Sequence, residues 1–519
     1  MGGDEMAEGD EEDSDSGSEG VDTTTGEDPE GLPSMPASGI TITHVEANQG
    51  TEVRIAQDGA WVGGTERLAP LARERDTLIR VHYNVAPDFQ ARELECRLLL
   101  GFPDGSEKVY TQVKLVDGDS TPNVLSGTFF FGLVADLGDV APDTTFKVEI
   151  HELAEGAGGG EDMGLWESPP QMEPIGIQPE PVELKVVLVP YHHNYENIDR
   201  YTDTSDETLA LITDYIYEHN PVSELIWELH DFVEWDLPMD NLGSVLGPLA
   251  AMRDNELAFP NVYYHALFPV PGGGVAGVAG IASVPGPGKG EGDRRVSATA
   301  LGNNPGGSRG TVVHEIGHNE GLQHVYCPFA DAASPDPNYP FQNGVIGTWG
   351  FGILSFKLYA PDSHYDYMSY CGPSWVSRWS VRNTYERARI LTGWEYESPG
   401  NGGFDLSLGP RGYEEQDLLY VSLNADGSEF WWTGHGTMPQ NADVYGDDYD
   451  HHLELRSEGQ LVELLPAVVR YTNDRSTAWM IAELPPSLAK LEGIDEIARI
   501  DELQEAHLVP VERVQLSKR

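Results

Sequence analysis

The 519-residue sequence has few basic residues, few cysteines and no long apolar run. It contains 31 Lys and Arg against 86 Asp and Glu, so its formal net charge is −55 at pH 7. A field of this sign repels phosphate and argues against nucleic acid or anionic membranes as partners. No stretch reaches the roughly 18 to 20 apolar residues that a membrane-spanning helix needs, which predicts that the sequence as given has no transmembrane segment.

Three cysteines are too few for a disulfide scaffold, but they allow one bridge and one unpaired thiol. Cys96 alternates with Leu94, Leu98 and Leu100 along one face of a predicted strand. This pattern predicts a buried, small apolar side chain at Cys96, and a redox role is the alternative.

Composition divides the chain into five segments. Residues 1–38 hold 13 acidic residues and no Lys or Arg, which predicts a disordered acidic tether. Alternating apolar runs predict an antiparallel β-sandwich over residues 39–153, and Gly, Pro and Glu predict a linker over residues 154–181. Strands that alternate with helices predict an α/β domain over residues 182–397, and alternating runs return in a C-terminal β-rich module, residues 398–519.

One segment, HEIGHNEGLQH at residues 314–324, has the pattern of a metal site. On a helix, His314 and His318 share a face, so both imidazoles can bind one ion. Gly321 can adopt a positive φ and turn the chain back, which would bring in His324 as a third ligand. Three His ligands leave a zinc ion with an open position, as in catalytic sites.

Glu315 lies beside the face that carries the histidines. Zinc lowers the pKa of a bound water to about 7, and Glu315 can accept the proton and deliver it to a leaving amine. These residue types predict zinc-dependent hydrolysis of an amide bond. The alternative is an amphipathic helix with surface histidines.

The same segment resembles the extended zinc signature of the metzincin metallopeptidases, HExxHxxGxxH, at every defined position. The sequence YDYMSY at residues 365–370 resembles the methionine turn of that clan. The resemblance implies a metzincin-like zinc peptidase domain, with Met368 as the floor of the site and Tyr370 as a switchable ligand that stabilises the oxyanion. It also implies that residues 278–284 form the edge strand that pairs with an extended peptide substrate.

The resemblance further implies that the third ligand and the methionine turn lie close together, so that Cys327 and Cys371 can form a disulfide. Two unpaired thiols are the alternative. A bridge would indicate an oxidising compartment and hence an exported protein. The acidic tether then resembles the spacer of bacterial lipoproteins, and we expect a lipid anchor upstream of the sequence as given.

Together these features predict a multidomain, monomeric zinc endopeptidase that is secreted or tethered to the cell surface and cleaves extracellular proteins or glycoproteins. Its α/β metzincin-like catalytic domain is expected to be flanked by all-β, sandwich-like modules. The alternative is a non-catalytic surface adhesin that uses the same scaffold to bind glycans or proteins.

Three further segments have weaker patterns. His451 and His452 follow several aspartates, which suggests weak Ca²⁺ binding or solvated side chains. The loop GPGKGEG at residues 286–292 lacks the Ser or Thr of a phosphate-binding loop and predicts a hairpin. The run FWW at residues 430–432 predicts either core packing or a sugar-binding surface.

Overall fold

The computed structural model describes residues 35–153, 164–256, 258–330, 335–396, 415–438, 451–472, 477–500 and 506–516. The N-terminal part contains ten strands: β1 (Met35–Pro36), β2 (Ile40–Asn48), β3 (Glu52–Gln57), β4 (Ala60–Trp61), β5 (Thr77–Val85), β6 (Arg92–Gly101), β7 (Glu107–Val116), β8 (Phe129–Leu133), β9 (Thr145–Glu152) and β10 (Glu167–Pro174). They form two five-stranded antiparallel sheets, one in the order β1-β9-β6-β7 with β10 on β9, the other in the order β4-β3-β2-β5-β8. Alternate residues of β6 are buried, and Cys96 is among them with no exposed surface, which confirms its predicted position.

Two predicted segments differ from these strands. Residues 1–34 of the predicted tether lie outside the described residues, but Met35 and Pro36 at its end pair with β9. Strand β10 lies inside the predicted linker. Because Pro cannot donate to a ladder, a strand that contains Pro169, Pro170 and Pro174 lacks the usual sequence signs of pairing.

The central part has these elements in chain order: β11 (Glu183–Tyr195), β12 (Ile198–Tyr201), α1 (Asp206–His219), β13 (Glu224–Leu229), β14 (Val233–Trp235), α2 (Leu246–Asn255), β15 (Val262–Pro269), β16 (Gly280–Ala282), β17 (Val296–Leu301) and α3 (Pro305–Asn319). The sheet has the order β12-β11-β15-β17-β16, and β13 and β14 pair with β11. Strands β11, β15 and β17 are parallel, whereas β12 and β16 run antiparallel at its two ends. Nearly all of β11 is buried, as expected for a strand covered on both faces.

After α3 the chain forms four two-residue strands and a long helix: β18 (Gly350–Phe351), β19 (Leu358–Tyr359), β20 (Tyr365–Asp366), β21 (Ser374–Trp375) and α4 (Arg378–Tyr396). The strands pair as β18 with β19 and β20 with β21. Helix α4 packs against β11. None of the helices in the described ranges is long and apolar enough to cross a membrane.

The C-terminal part is one sheet of eight strands: β22 (Gln416–Leu423), β23 (Glu429–Gly436), β24 (His451–Ser457), β25 (Gln460–Tyr471), β26 (Ala478–Glu483), β27 (Glu496–Ile500), β28 (Ala506–Pro510) and β29 (Val514–Gln515). Their order is β28-β27-β24-β25-β26-β22-β23-β29. One face packs on α2, where Tyr420, Trp479 and Ile481 belong to the same apolar cluster as Leu246 and Ala250.

The predicted fold class, an α/β metzincin-like catalytic domain between β-modules, is wrong. Over the described residues the chain has 29 strands and only four α-helices, arranged in several sheets. The central sheet also shares one apolar cluster with the N-terminal sheets and another with the C-terminal sheet. The described structure is therefore mainly β and has no clear metzincin-type α/β domain. The alternation of strands and helices is a local pattern, whereas long-range packing decides the fold class.

The turn between β2 and β3 joins the N-terminal sheets to the central part. Trp375, which is fully buried, donates from Nε1 to the carbonyl oxygen of Gly50 (2.8 Å). The amide of Glu52 donates to the carbonyl oxygen of Trp349 (2.8 Å). Backbone groups at the turn between β2 and β3 thus bind residues on both sides of β20 in the sequence, Trp349 before it and Trp375 after it.

Arg75 reinforces this junction from inside. Its side chain is fully buried, and its guanidinium donates to the backbone carbonyls of Gln49 (3.3 Å), Tyr217 (2.8 Å) and Val222 (3.2 Å). One side chain therefore satisfies acceptors from the N-terminal sheets and from the end of α1.

We expect Arg75→Ala to lower the free energy of unfolding by about 3 kcal/mol, because several buried carbonyls lose their donor together. Arg54→Ala is the matched control, since Arg54 is half exposed and pairs with Glu52 at the surface. It should change stability by less than about 0.5 kcal/mol. Urea unfolding followed by tryptophan fluorescence measures both, and equal stabilities for the two variants would contradict the role of Arg75.

Candidate metal centre

Helix α3 carries two of the three predicted metal ligands and is rich in glycine. It begins at Pro305. Proline has no backbone N–H, but the first N–H groups of a helix have no intrahelical acceptor, so no helical hydrogen bond is lost there. His314 and His318 lie one turn apart on its buried face, with their ring centroids 4.8 Å apart. Four of its 15 residues are glycine, namely Gly306, Gly307, Gly310 and Gly317.

The chain turns back directly after α3 at Gly321, where φ is +96°. The amide of Gly321 donates to the carbonyl oxygen of His318 (2.8 Å), and the amide of Leu322 donates to that of Gly317 (3.0 Å). These bonds end the helix as a left-handed cap does. A side chain at this position would also overlap with the guanidinium of Arg387, so the site requires glycine.

This turn brings His324 to the two helical histidines. Nε2 of His318 and Nε2 of His324 are 3.2 Å apart, and the ring centroids of His314 and His324 are 5.4 Å apart. One ring nitrogen from each residue lies within 4.8 Å of the other two. The structure thus brings together the three residues that the sequence predicts as ligands.

Backbone carbonyls orient two of these rings. Nδ1 of His314 lies 2.8 Å from the carbonyl oxygen of Tyr367, and Nδ1 of His318 lies 2.8 Å from that of Leu322. Because a carbonyl oxygen only accepts, Nδ1 carries the proton and Nε2 keeps its lone pair. Burial, with a smaller effect of His324, lowers the pKa of His314 to about 4, and burial likewise lowers the pKa of His318. Both rings are therefore neutral at pH 7, the form that binds a metal ion.

Glu315 directly follows His314 on α3 and is almost completely buried. Burial raises the pKa of its carboxyl group well above the usual value. A Cβ atom added to Gly280 would lie only 2.5 Å from Oε1 of Glu315, so the carboxylate rests against the backbone of β16. The absence of a side chain at Gly280 makes room for Glu315, and this requirement was not evident in the sequence.

Met368 lies beneath the histidines with no exposed surface. A Cβ atom added to Gly317, between the two helical histidines, would lie 2.6 Å from the sulfur of Met368, so the sulfur packs against the helix backbone.

Asp366 stabilises the turn that carries Met368. Its carboxylate accepts from the amide of Met368 (2.9 Å) and from the hydroxyl of Ser380 (2.7 Å). Neither Gly317 nor Asp366 was predicted as a site residue, although they lie inside the motifs at residues 314–324 and 365–370.

Tyr370 differs from the other residues of the group because 42% of it is exposed. Its hydroxyl lies 2.9 Å from Nε2 of His324, and the two ring centroids are 4.7 Å apart. The hydroxyl is thus at the rim of the histidine group, where it can contact both a ligand nitrogen and a molecule from solvent.

The disulfide that the resemblance implied, between Cys327 and Cys371, is present. It lies beside a backbone contact in which the amide of Val325 donates to the carbonyl oxygen of Met368 (2.8 Å). Closing a loop of this length contributes about 4 kcal/mol of stability in the chain-entropy description. The bridge therefore holds the segment after His324 against the methionine turn.

A second group of potential ligands, which was not predicted from the sequence, comprises His44, Glu46 and His82 on β2 and β5. No motif connects these residues in the sequence. The two imidazole rings stack at 4.0 Å with an angle of 11°, so their lone pairs point side by side rather than to one centre. Arg80 already pairs with Glu46 (3.3 Å), and we interpret the group as a buried ion-pair network.

The weaker sequence patterns have different outcomes. Trp431 and Trp432 are buried, which favours core packing over a sugar-binding surface. Residues 289–294 form a 3₁₀ segment rather than a simple hairpin. The aspartates before His451 lie outside the described residues, so the Ca²⁺ prediction stays a prediction.

No protein-family model and no curated protein matches this chain. Among solved structures, it is similar to one described as "Crystal structure of putative beta-galactosidase from bacteroides fragilis", with 12% sequence identity and a TM-score of 0.13. The similarity covers 45% of this chain and 34% of that chain, so this chain spans about a third of that protein. At this TM-score the similarity supports no conclusion about fold or activity.

We expect thiol titration of the native, unreduced protein to find no reactive thiol, because Cys96 is buried and the other two cysteines are bonded. Denaturation without reductant should expose one thiol per chain, and denaturation with reductant all three. Three thiols in the denatured, unreduced protein would contradict the bridge. A Cys96→Ala variant, with no thiol before reduction, is the control.

Proposed function

We propose that this chain is a zinc-dependent endopeptidase. One observation carries the proposal: three buried imidazoles, two of them oriented by backbone carbonyls, converge within 4.8 Å of one another, and the buried Glu315 directly follows the first of them on α3. The match of residues 314–324 to the metzincin zinc signature supports the same reaction class.

The donor set fits zinc. His314 and His318 would hold the ion through Nε2, because Nδ1 of each faces a carbonyl oxygen, and His324 would be the third ligand. When bound, zinc supplies a Lewis acid that polarises a peptide carbonyl and lowers the pKa of water. Three neutral ligands leave room for a further group, which suits catalysis better than a closed structural site.

We assign the role of general base to Glu315, which directly follows His314 on α3. Its carboxylate is in a dry environment, where a proton is transferred with little competition from bulk water. In the proposed reaction Glu315 accepts a proton from the attacking water and passes it to the nitrogen of the leaving amine. Its raised pKa favours the second transfer, since the protonated acid must persist until the C–N bond breaks.

Tyr370 has the position of an oxyanion donor. Its hydroxyl is at the exposed rim of the histidine group, and a phenol can donate to a carbonyl oxygen as negative charge develops on it. We therefore propose that Tyr370 contributes mainly in the transition state.

We further propose that the protein acts outside the cell on proteins or glycoproteins. The disulfide between Cys327 and Cys371 supports this location, because such bridges persist in oxidising compartments. The formal net charge of −55 agrees with an exported hydrolase that depends on surface charge for solubility.

We expect Glu315→Ala to retain about one zinc ion per chain, as wild type does, because the three histidines are unchanged. Its hydrolysis of casein and of a mucin-like glycoprotein should fall by a factor of about 10² to 10⁴ through loss of the general base. Metal analysis and a proteolysis assay measure the two effects. Glu386→Ala, a substitution on the exposed side of α4, is the control and should match wild type. Equal cleavage by the Glu315→Ala protein would refute the proposal.

We expect Tyr370→Phe to lower kcat by about tenfold to a thousandfold with little change in KM, because only the developing charge loses its donor. Zinc content should not change. Steady-state kinetics on a peptide substrate separate the two constants. A changed KM at constant kcat would indicate that Tyr370 only binds substrate.

A further inference from the structure

Strand β16 forms an edge of the central sheet beside Glu315. It is the last strand of its sheet within the described ranges, and Gly280 at its start rests against the Glu315 carboxylate. One helical turn further along α3, Nδ2 of Asn319 donates to the carbonyl oxygen of Ser283 (2.8 Å). The edge is therefore fixed along the helix that carries the histidines.

The backbone of this edge alternates in direction. The amide of Ala300 donates to the carbonyl oxygen of Ala279 (2.8 Å), and the amide of Ser283 donates to that of Val296 (3.3 Å). In an antiparallel pair, successive residues face opposite sides, so the backbone groups of Gly280 and Ala282 point away from β17. They are oriented to bind an additional extended strand.

One end of this edge is already occupied by the C-terminal part of the chain. Directly after β16, Ser283 forms an antiparallel bridge with Thr472, which follows β25. Arg470 near the end of β25 forms an ion pair with Asp293 (2.9 Å), and both side chains are almost completely buried. The C-terminal sheet is thus fixed in line with the position that an added strand would take.

The other end is a tight turn. The amides of Val275 and Val278 each donate to the carbonyl oxygen of the other residue (2.9 Å), and Ala276 and Gly277 between them have positive φ. This hairpin leads away from the sheet edge, and Val278 is 40% exposed. No contact comparable to Thr472 is present at this end in the part of the chain that the structure describes.

We propose that the C-terminal sheet closes one end of a substrate groove along β16. A peptide can then add to the edge only over Gly280–Ala282, which is about 10 Å of extended chain, or roughly three residues. The proposed substrate is an extended peptide. On one side of the cleaved bond, only a short segment of this peptide pairs with β16. This inference rests on the proposed peptidase function and adds an intramolecular limit to its groove.

The test uses two series of fluorogenic peptides that share one cleaved bond, each lengthened on one side from two to eight residues. In one series kcat/KM should rise over about three added residues and then change by less than about twofold. Further residues have no unpaired part of β16 with which to form backbone hydrogen bonds. In the other series no such limit is expected. A parallel measurement of Kd by fluorescence anisotropy with the inactive Glu315→Ala protein should give the same dependence on length. A rise beyond five residues in both series would overturn the inference.

A cross-link tests whether the closed end stays closed during binding. Ser283→Cys with Thr472→Cys places two thiols on facing residues, where antiparallel strands are close enough for a disulfide. The oxidised protein should bind and cleave both series as wild type does. Loss of peptide binding by tenfold or more would show that substrate displaces Thr472, and would overturn the inference.

An opened variant tests the limit itself. Arg470→Ala removes the ion pair with Asp293 (2.9 Å) that fixes the C-terminal sheet at this end, and should extend the length limit beyond three residues. An unchanged limit in the folded variant would contradict the proposal, and if the variant does not fold, the cross-linked protein decides.

Cleavage that is independent of Glu315, or no cleavage of any peptide, refutes the peptidase function and the inference with it. Cleavage that needs Glu315 but shows no limit refutes the inference alone.

Discussion

The candidate metal centre depends on where the Nδ1 protons of two buried histidines are bound. Because His314 and His318 donate from Nδ1 to backbone carbonyls, their Nε2 atoms keep their lone pairs and are left on the side of the group that faces His324. The two carbonyls belong to Tyr367 and Leu322, and they are positioned by the turn at Asp366 and by the turn at Gly321 respectively. The ligand geometry is therefore a property of two backbone turns, and a disulfide holds the segments that follow them together.

The surrounding sheets support these turns from two sides. On one side, the N-terminal sheets contact Trp375, which pairs with β20 through β21 and so backs the methionine turn. On the other side, the C-terminal sheet packs on α2 and bridges to the end of β16. Flanking sheets that could have been independent binding modules are instead part of the structural support of the histidine group.

The local chemistry could be predicted from the sequence better than the architecture. The helical spacing of His314 and His318 and the positive φ at Gly321 follow from elementary backbone geometry, which a short motif contains. The contact of Gly280 with Glu315 and the bridge from Thr472 to Ser283 could not be predicted, because both depend on long-range packing. The predicted α/β fold class is wrong because the described residues form 29 strands and only four α-helices. The central sheet also shares apolar clusters with the sheets before and after it, and a local pattern of alternating elements does not contain these contacts.

The four glycines of α3 have a thermodynamic consequence. Each lowers helix propensity by about 1 kcal/mol relative to alanine, so a 15-residue segment of this composition is not a stable helix in isolation. Its helical form is imposed by the sheets and helices packed around it. If His314, His318 and His324 hold an ion only in the folded chain, binding of that ion stabilises the fold. Occupancy of the site and the free energy of unfolding would then rise and fall together.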